Sequence, residues 1–203
     1  MKKEYTDPRK VILTDCDGVL LDWEYSFGVW MNHRGYTVVK PDYKISEMYG
    51  ISAEEAKRMI RAFNESAAIG FLPPLRDAVY YVRKLHERYG FVFHCLTSLS
   101  TDEYAKKLRE KNLNKLFGEG VFEKVVCADT GADKHDILEP YRDSRCIWVE
   151  DKPENAVLGQ EYGLNSILMG HNHNSHFKDP SIPRVWKWEH IYKMVEAAEI
   201  IED

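Results

Sequence analysis

The chain has 203 residues, enough to bury a substantial core in one domain or in one domain with a small insert. Its 44% hydrophobic and 30% charged content is that of an ordinary water-soluble folded protein. A formal net charge of −5 argues against a nucleic-acid polymer as partner, and no uncharged run is long enough to cross a membrane. Cys16, Cys95, Cys127 and Cys146 lack CxxC spacing and lie in or beside apolar runs, as buried thiols in a reducing compartment do. The opening MKKEYTDPRK has no apolar stretch behind its lysines, so the expected location is cytoplasmic.

The first element is read at KVILTDCDGVLLD, Lys10 to Asp22. Val11-Ile12-Leu13 predicts a strand buried on both faces, which delivers Asp15 and Asp17 at its carboxyl end. Side chains two apart on an extended chain point the same way, so the two carboxylates face one site, and Gly18 lets the chain turn away. Paired carboxylates at such a place call for a cation or a phosphoryl group.

Apolar residues then recur at helical spacing in Trp23, Phe27, Trp30 and Met31, with Gly35 as a stop. A second helix opens at Ser52, whose hydroxyl caps while Glu55 bonds back, and carries Ala56, Met59, Ile60 and Phe63 on one face. Phe71-Leu72-Pro73-Pro74 closes this region, and a separate crossover helix follows with Ala78, Val79, Val82 and Leu85 inward. The segment from Trp23 to Leu72 is about 50 residues, far beyond an ordinary connection, and is expected to form a cap.

Phe91 to Leu96 predicts the next strand, ending in Thr97-Ser98. Ser100 with Glu103 predicts a capping box for a helix with Tyr104 and Leu108 inward and Lys106, Lys107, Arg109 and Lys111 on a solvated face. Lys124 to Ala128 reads as a strand, and Lys134 opens the helix His135 to Tyr141. Cys146 to Val149 reads as a buried strand ending in Glu150-Asp151, with Pro153 in the first turn of the next helix. A fifth strand is expected at Asn165 to Met169, then a polar loop from Gly170 to Arg184 and a closing helix around Ile191, Met194, Val195 and Ala198.

Alternating strands and helices predict an α/β fold, a doubly wound parallel sheet with the helical cap inserted after the first strand. The core is residues 1–22 and 73–203, and the cap residues 23–72. In such sheets the site lies beyond the carboxyl ends of the strands, where Asp15, Asp17, Thr97, Ser98, Glu150 and Asp151 all fall.

In this order the four motifs, Asp15-Cys16-Asp17-Gly18, Thr97, Lys134 and Glu150-Asp151, resemble those of the haloacid dehalogenase superfamily of phosphohydrolases. The resemblance implies Mg²⁺ held by the side chains of Asp15 and Asp151 and the backbone carbonyl of Asp17, with Glu150 acting directly or through water. It implies Asp15 as nucleophile and Asp17 as general acid and base. Thr97, Ser98 and Lys134 would bind the phosphoryl oxygens, with Lys152 the competing cation, and Asn155, where many members carry aspartate, would support the metal site through hydrogen bonds.

The short helical cap, with YKISEMYG and FLPPLRDAV, is similar to that of the 5'(3')-deoxyribonucleotidase branch. A nucleoside monophosphate is therefore the expected substrate, and a phosphosugar or another small phosphometabolite the alternative. Trp23 and Tyr25, nearest the aspartates, are the candidates to stack on it, while Phe27 and Trp30 read as the cap's own core. A phosphomutase stays open as a reaction type, and a silent phosphate-binding or receiver-like module as a different class. His171, His173 and His176 read as solvent-exposed or phosphate-adjacent residues of a polar loop rather than a zinc site, and His94 as a satisfied core residue.

Overall fold

The computed structural model describes residues 10–202, so residues 1–9 of the expected core, and residue 203, lie outside the described residues. The strands are β1 (Val11–Thr14), β2 (Val92–Ser98), β3 (Phe122–Ala128), β4 (Ile147–Glu150), β5 (Asn165–Met169) and β6 (Arg184–Val185). They form one sheet in the order β3-β2-β1-β4-β5-β6, with every pairing parallel. All four residues of β1 are buried, as the continuous apolar run demands of a strand covered on both faces. Its neighbours are β2 on one side and β4 on the other, so the strand order reverses at β1 and opens a crevice at its carboxyl end.

The helices are α1 (Trp23–Asn32), α2 (Ile45–Tyr49), α3 (Ala53–Asn64), α4 (Ala78–Tyr89), α5 (Glu103–Phe117), α6 (His135–Leu138), α7 (Pro153–Glu161) and α8 (Trp188–Glu202). None of the helices among the described residues is long and apolar enough to cross a membrane. All four cysteines are free.

The long insertion after β1 is helical. Trp23 stacks on Phe27 with ring centroids 4.5 Å apart, and Phe63 meets both Phe27 and Trp30 edge-on, so aromatic packing joins α1 to α3. A 3-10 turn at Ala67–Phe71 leads back toward α4. Polar contacts tie the far end of α3 to the loops after β2 and β3: Arg61 donates to Asp129 at 3.0 Å, Asn64 Nδ2 to the Leu99 carbonyl at 2.9 Å, and Ser100 Oγ to Glu65 at 2.8 Å.

Several local expectations are corrected. Arg184–Val185, expected to end or follow a loop, pairs with Leu168–Met169 and adds a sixth strand too short for periodicity to reveal. The N-cap of α5 is Asp102, whose Oδ1 accepts from the Ala105 N–H at 2.7 Å, because Ser100 is occupied by Glu65. Ser52 does cap α3, but Glu55 accepts from the Tyr36 hydroxyl instead of closing the box. On α5 the buried positions are Ala105, Arg109, Asn112, Leu113 and Phe117, while Tyr104 is 61% exposed. The inward stripe is thus rotated from the expected one, and Arg109 belongs to it.

His94 lies wholly inside the sheet layer, its Nδ1 2.8 Å from the Tyr141 hydroxyl and its Nε2 3.4 Å from Glu123. Burial, partly offset by Glu123, lowers its pKa below the ordinary value. The unfolded chain then takes up the proton first, so this stabilisation is full above about pH 6.5 and is lost as pH falls through the lowered folded value. The urea midpoint should fall more between about pH 7.5 and pH 5 in the wild type than in His94→Gln, and equal slopes would refute this assignment.

Candidate active site

The site grows from the end of β1. The Asp15 N–H donates to the Val149 carbonyl at 2.9 Å, which keeps the chain extended one residue past the strand and holds Asp15 beside β4. The Cys16 carbonyl then accepts from the Leu20 and Leu21 N–H groups, closing a tight loop. Gly18 makes that loop with φ at +74°, and a Cβ there would sit 2.6 Å from Asp151 Oδ2, so the turn needs both the conformation and the smallness of glycine. The loop returns beside the end of the insertion, where Asp22 N–H bonds Pro73 and Leu75 N–H bonds Leu20.

Lys134 reaches this point from the start of α6 and is 1% exposed. Its Nζ donates to Asp15 Oδ1 at 2.8 Å and to the Leu96 carbonyl, and lies 3.7 Å from Glu150 Oε2. Burial alone would lower its pKa, but the Asp15 and Glu150 carboxylates outweigh burial and raise it, so the ammonium stays charged. Lys152, the competing cation, lines the same cavity, but Lys134 is the one bonded to Asp15.

Glu150 is fully buried at the end of β4. Its Oε1 accepts from the N–H groups of Asp151 and Lys152 at 2.9 and 3.0 Å, and its Oε2 from Asn155 Nδ2 at 3.1 Å. Burial and then the charge of Asp15 push its carboxyl well above the usual range. Asp151 goes the other way: burial opposes ionisation, but contacts with His173 and Glu150 hold its pKa below the ordinary value.

Carboxylate oxygens of Asp15, Glu150 and Asp151 all lie within 4.8 Å of one another. This donor set is oxygen only and carries concentrated negative charge, which fits a hard divalent cation such as Mg²⁺ rather than a thiophilic metal.

Above these groups opens a cavity of about 1490 Å³. The core supplies Asp15, Asp17, Thr97, Ser98, Lys134 and Asp151 to its walls, and the insertion supplies Trp23, Tyr43, Lys44, Lys57, Arg58 and Asn64. Thr97 is 1% exposed at the end of β2, and Ser98 Oγ donates to the Ala132 carbonyl at 2.8 Å.

Trp23 lines the cavity with its Nε1 donating to Asn64 Oδ1 at 2.9 Å, but Tyr25 is 63% exposed and lines a separate depression on the outer side of α1. Tyr25 is therefore corrected as a candidate for contact with substrate in this cavity. A period of 3.6 turns a residue two positions from Trp23 to the opposite side of the helix.

Of three further contributors, sequence reasoning missed Arg109 and left open what two histidines touch. Arg109 is fully buried and grips Asp17 with two bonds, Nη1 to Oδ1 at 2.6 Å and Nη2 to Oδ2 at 2.9 Å. Burial raises the Asp17 pKa, and the Arg109 pair only partly reverses it. The signal was present in the four-residue spacing Ala105, Arg109, Leu113, Phe117, which puts arginine in a core slot. The other two come from the histidine loop. His171 Nε2 lies 2.6 Å from the Gly18 carbonyl, and His173 Nε2 lies 3.4 Å from Asp151 Oδ2 while its ring stacks on Tyr43. That loop carries no periodic signal, so only the fold brings it to the site.

No family model matches the chain. Over 140 residues it is 29% identical to an uncharacterized 32.4 kDa protein of the Gp30-rIII intergenic region of Enterobacteria phage T4, covering 64% of this chain and 49% of the phage protein. The chain thus spans about half the length of the curated relative it matches.

Among solved structures it is similar to a haloacid dehalogenase-like family hydrolase from Streptococcus pneumoniae, with a TM-score of 0.62 and 15% identity over 93% of this chain and 99% of that one. YfnB of Bacillus subtilis, bound to magnesium, superposes with a TM-score of 0.61 and 12% identity over 92% and 98%. CbbY of Rhodobacter sphaeroides, in complex with phosphate, gives 0.57 and 14% over 90% and 96%. With its parallel sheet and the carboxylates gathered beyond β1 and β4, the chain has the fold of the haloacid dehalogenase superfamily of hydrolases.

Proposed function

We propose that the protein is a Mg²⁺-dependent phosphomonoester hydrolase that works through an aspartyl-phosphate. The observation that carries this reading is Asp15, a buried carboxylate bonded to the charged Lys134 and grouped with Glu150 and Asp151, at the floor of a wide cavity. Asp15, Asp151 and the Asp17 carbonyl would hold the metal, with Glu150 direct or through water and Asn155 fixing Glu150. When bound, the ion neutralises the carboxylates and polarises the phosphoryl group. Asp15 attacks phosphorus, Asp17 protonates the departing oxygen and later takes a proton from water, and Thr97, Ser98 and Lys134 hold the phosphoryl oxygens.

Nucleoside monophosphates are the proposed substrates, and residues 23–72 the proposed cap. Trp23 and Tyr43 offer aromatic surface in the cavity, and Lys44, Lys57 and Arg58 give its upper wall cations suited to a phosphorylated ligand. The reading is of a cytoplasmic enzyme, in keeping with four free cysteines.

Phosphate release at neutral pH should be Mg²⁺-dependent, abolished by EDTA, and faster with 5'- or 3'-deoxynucleotides than with ribonucleotides or phosphosugars. Release from phosphosugars alone would overturn the nucleotide assignment and keep the reaction. Release from none of them would overturn the reaction class.

A further inference from the structure

We infer that Arg109 is a positioning residue for the leaving-group step, its buried guanidinium fork fixing the Asp17 carboxylate with one edge toward the cavity. The inference rests on the proposed hydrolase reading, in which Asp17 is the acid and base.

Arg109 is 0% exposed and sits where α5 otherwise carries Ala105, Leu113 and Phe117. Enclosing a guanidinium is strongly unfavourable unless it is paired, so its pairing is the reason it can be there. Its side-chain contacts converge on the catalytic loop: both oxygens of Asp17, and Cys16 Sγ at 3.1 Å from Nη1, while Nε has no hydrogen-bond partner. The arginine is thus committed to this loop rather than shared with a surface network.

The fork is planar and rigid, and two parallel bonds fix the plane of the carboxylate as well as its position. Each carboxylate oxygen offers two lone pairs, of which the fork uses one. The Asp17 side chain keeps 23% exposure and lines the same cavity as Asp15, so its free edge is presented to the reacting groups. As the ester P–O bond breaks and Asp15 takes the phosphoryl group, the proton on that free edge passes to the departing oxygen. In the second step the same edge accepts a proton from the attacking water, and phosphate leaves.

A residue acting through the acid affects poor leaving groups more than good ones, whereas a purely structural staple slows both alike. Phenyl phosphate and 4-nitrophenyl phosphate differ little in shape and strongly in leaving group, so fit to the cavity cancels. Arg109→Gln should lower kcat/KM for phenyl phosphate by about 10²-fold and for 4-nitrophenyl phosphate by less than about 10-fold. In an Asp17→Asn background the same change should alter either rate by less than about 3-fold, because its target is gone.

Equal losses on the two esters, or a loss that persists in the Asp17→Asn background, would overturn the inference alone. Should Arg109→Gln not fold, Arg109→Lys keeps the charge without the fork and gives the same comparison. A wild-type protein that with Mg²⁺ releases phosphate from neither these esters nor any nucleotide or phosphosugar would take down the hydrolase reading and this inference together.

Discussion

Asp15→Asn is expected to reduce phosphomonoester turnover by roughly 10⁴- to 10⁶-fold, the range seen when a nucleophile is removed from a working catalytic unit. Asparagine keeps the volume but not the charge, so the change removes the attacking oxygen and the Lys134 ion pair together. The backbone should hold, because the Asp15 N–H bond to Val149 is independent of the side chain. Phosphate release and trapping of phosphoenzyme in a single turnover would both report the loss. Turnover above about 1% of wild type, in protein free of deamidated asparagine, would remove Asp15 from the role of nucleophile.

Lys134→Met should have the largest effect on stability. The ammonium is enclosed and paired with Asp15 and Glu150, so an apolar replacement of similar length leaves two buried carboxylates facing each other. Breaking one side of a buried pair costs about 3–5 kcal/mol, a large share of a domain's net stability. The urea midpoint in EDTA should drop accordingly, and Mg²⁺ should restore more stability to the variant than to the wild type, since an ion among the carboxylates supplies the missing charge. Unchanged stability in EDTA would mean that Lys134 does not carry the charge balance of the site.

The positions of Asp15, Asp17, Thr97, Lys134, Glu150 and Asp151 were legible because each stands where a strand ends or a helix begins, and a parallel sheet gathers such places at one edge. Buried runs such as Val11 to Leu13 mark their strands by composition alone. Arg109 was misjudged because Tyr104 and Leu108 suggest an inward stripe in the first turns, whereas the stripe that carries on to Leu113 and Phe117 passes through Arg109. Burying arginine becomes favourable only when Asp17 is brought opposite it, 92 residues earlier in the chain. The contacts of His171 and His173 stayed open for the same reason: what they touch, Gly18 and Asp151, is decided by the end of β5 lying next to β4. Trp23 and Tyr25 stand on opposite sides of α1 by helical period alone, and the seating of α1 on α3 decides which side faces the cavity.

The central place of β1 in the sheet also governs the order in which the molecule can be assembled. One of its edges pairs with β2 through Ile12 and Phe93, and the other with β4 through Ile12 and Ile147. Both closures span long stretches of chain, so loop entropy must be overcome before either pairing returns energy, and folding on the millisecond-to-second scale follows. During synthesis at roughly 5–20 residues per second, the 135 residues from Leu13 to Ile147 take about 7–27 s to appear. Both edges of this apolar strand are open until Phe93 appears and the β4 edge stays open until Ile147 does, so the nascent chain needs protection there until β4 arrives.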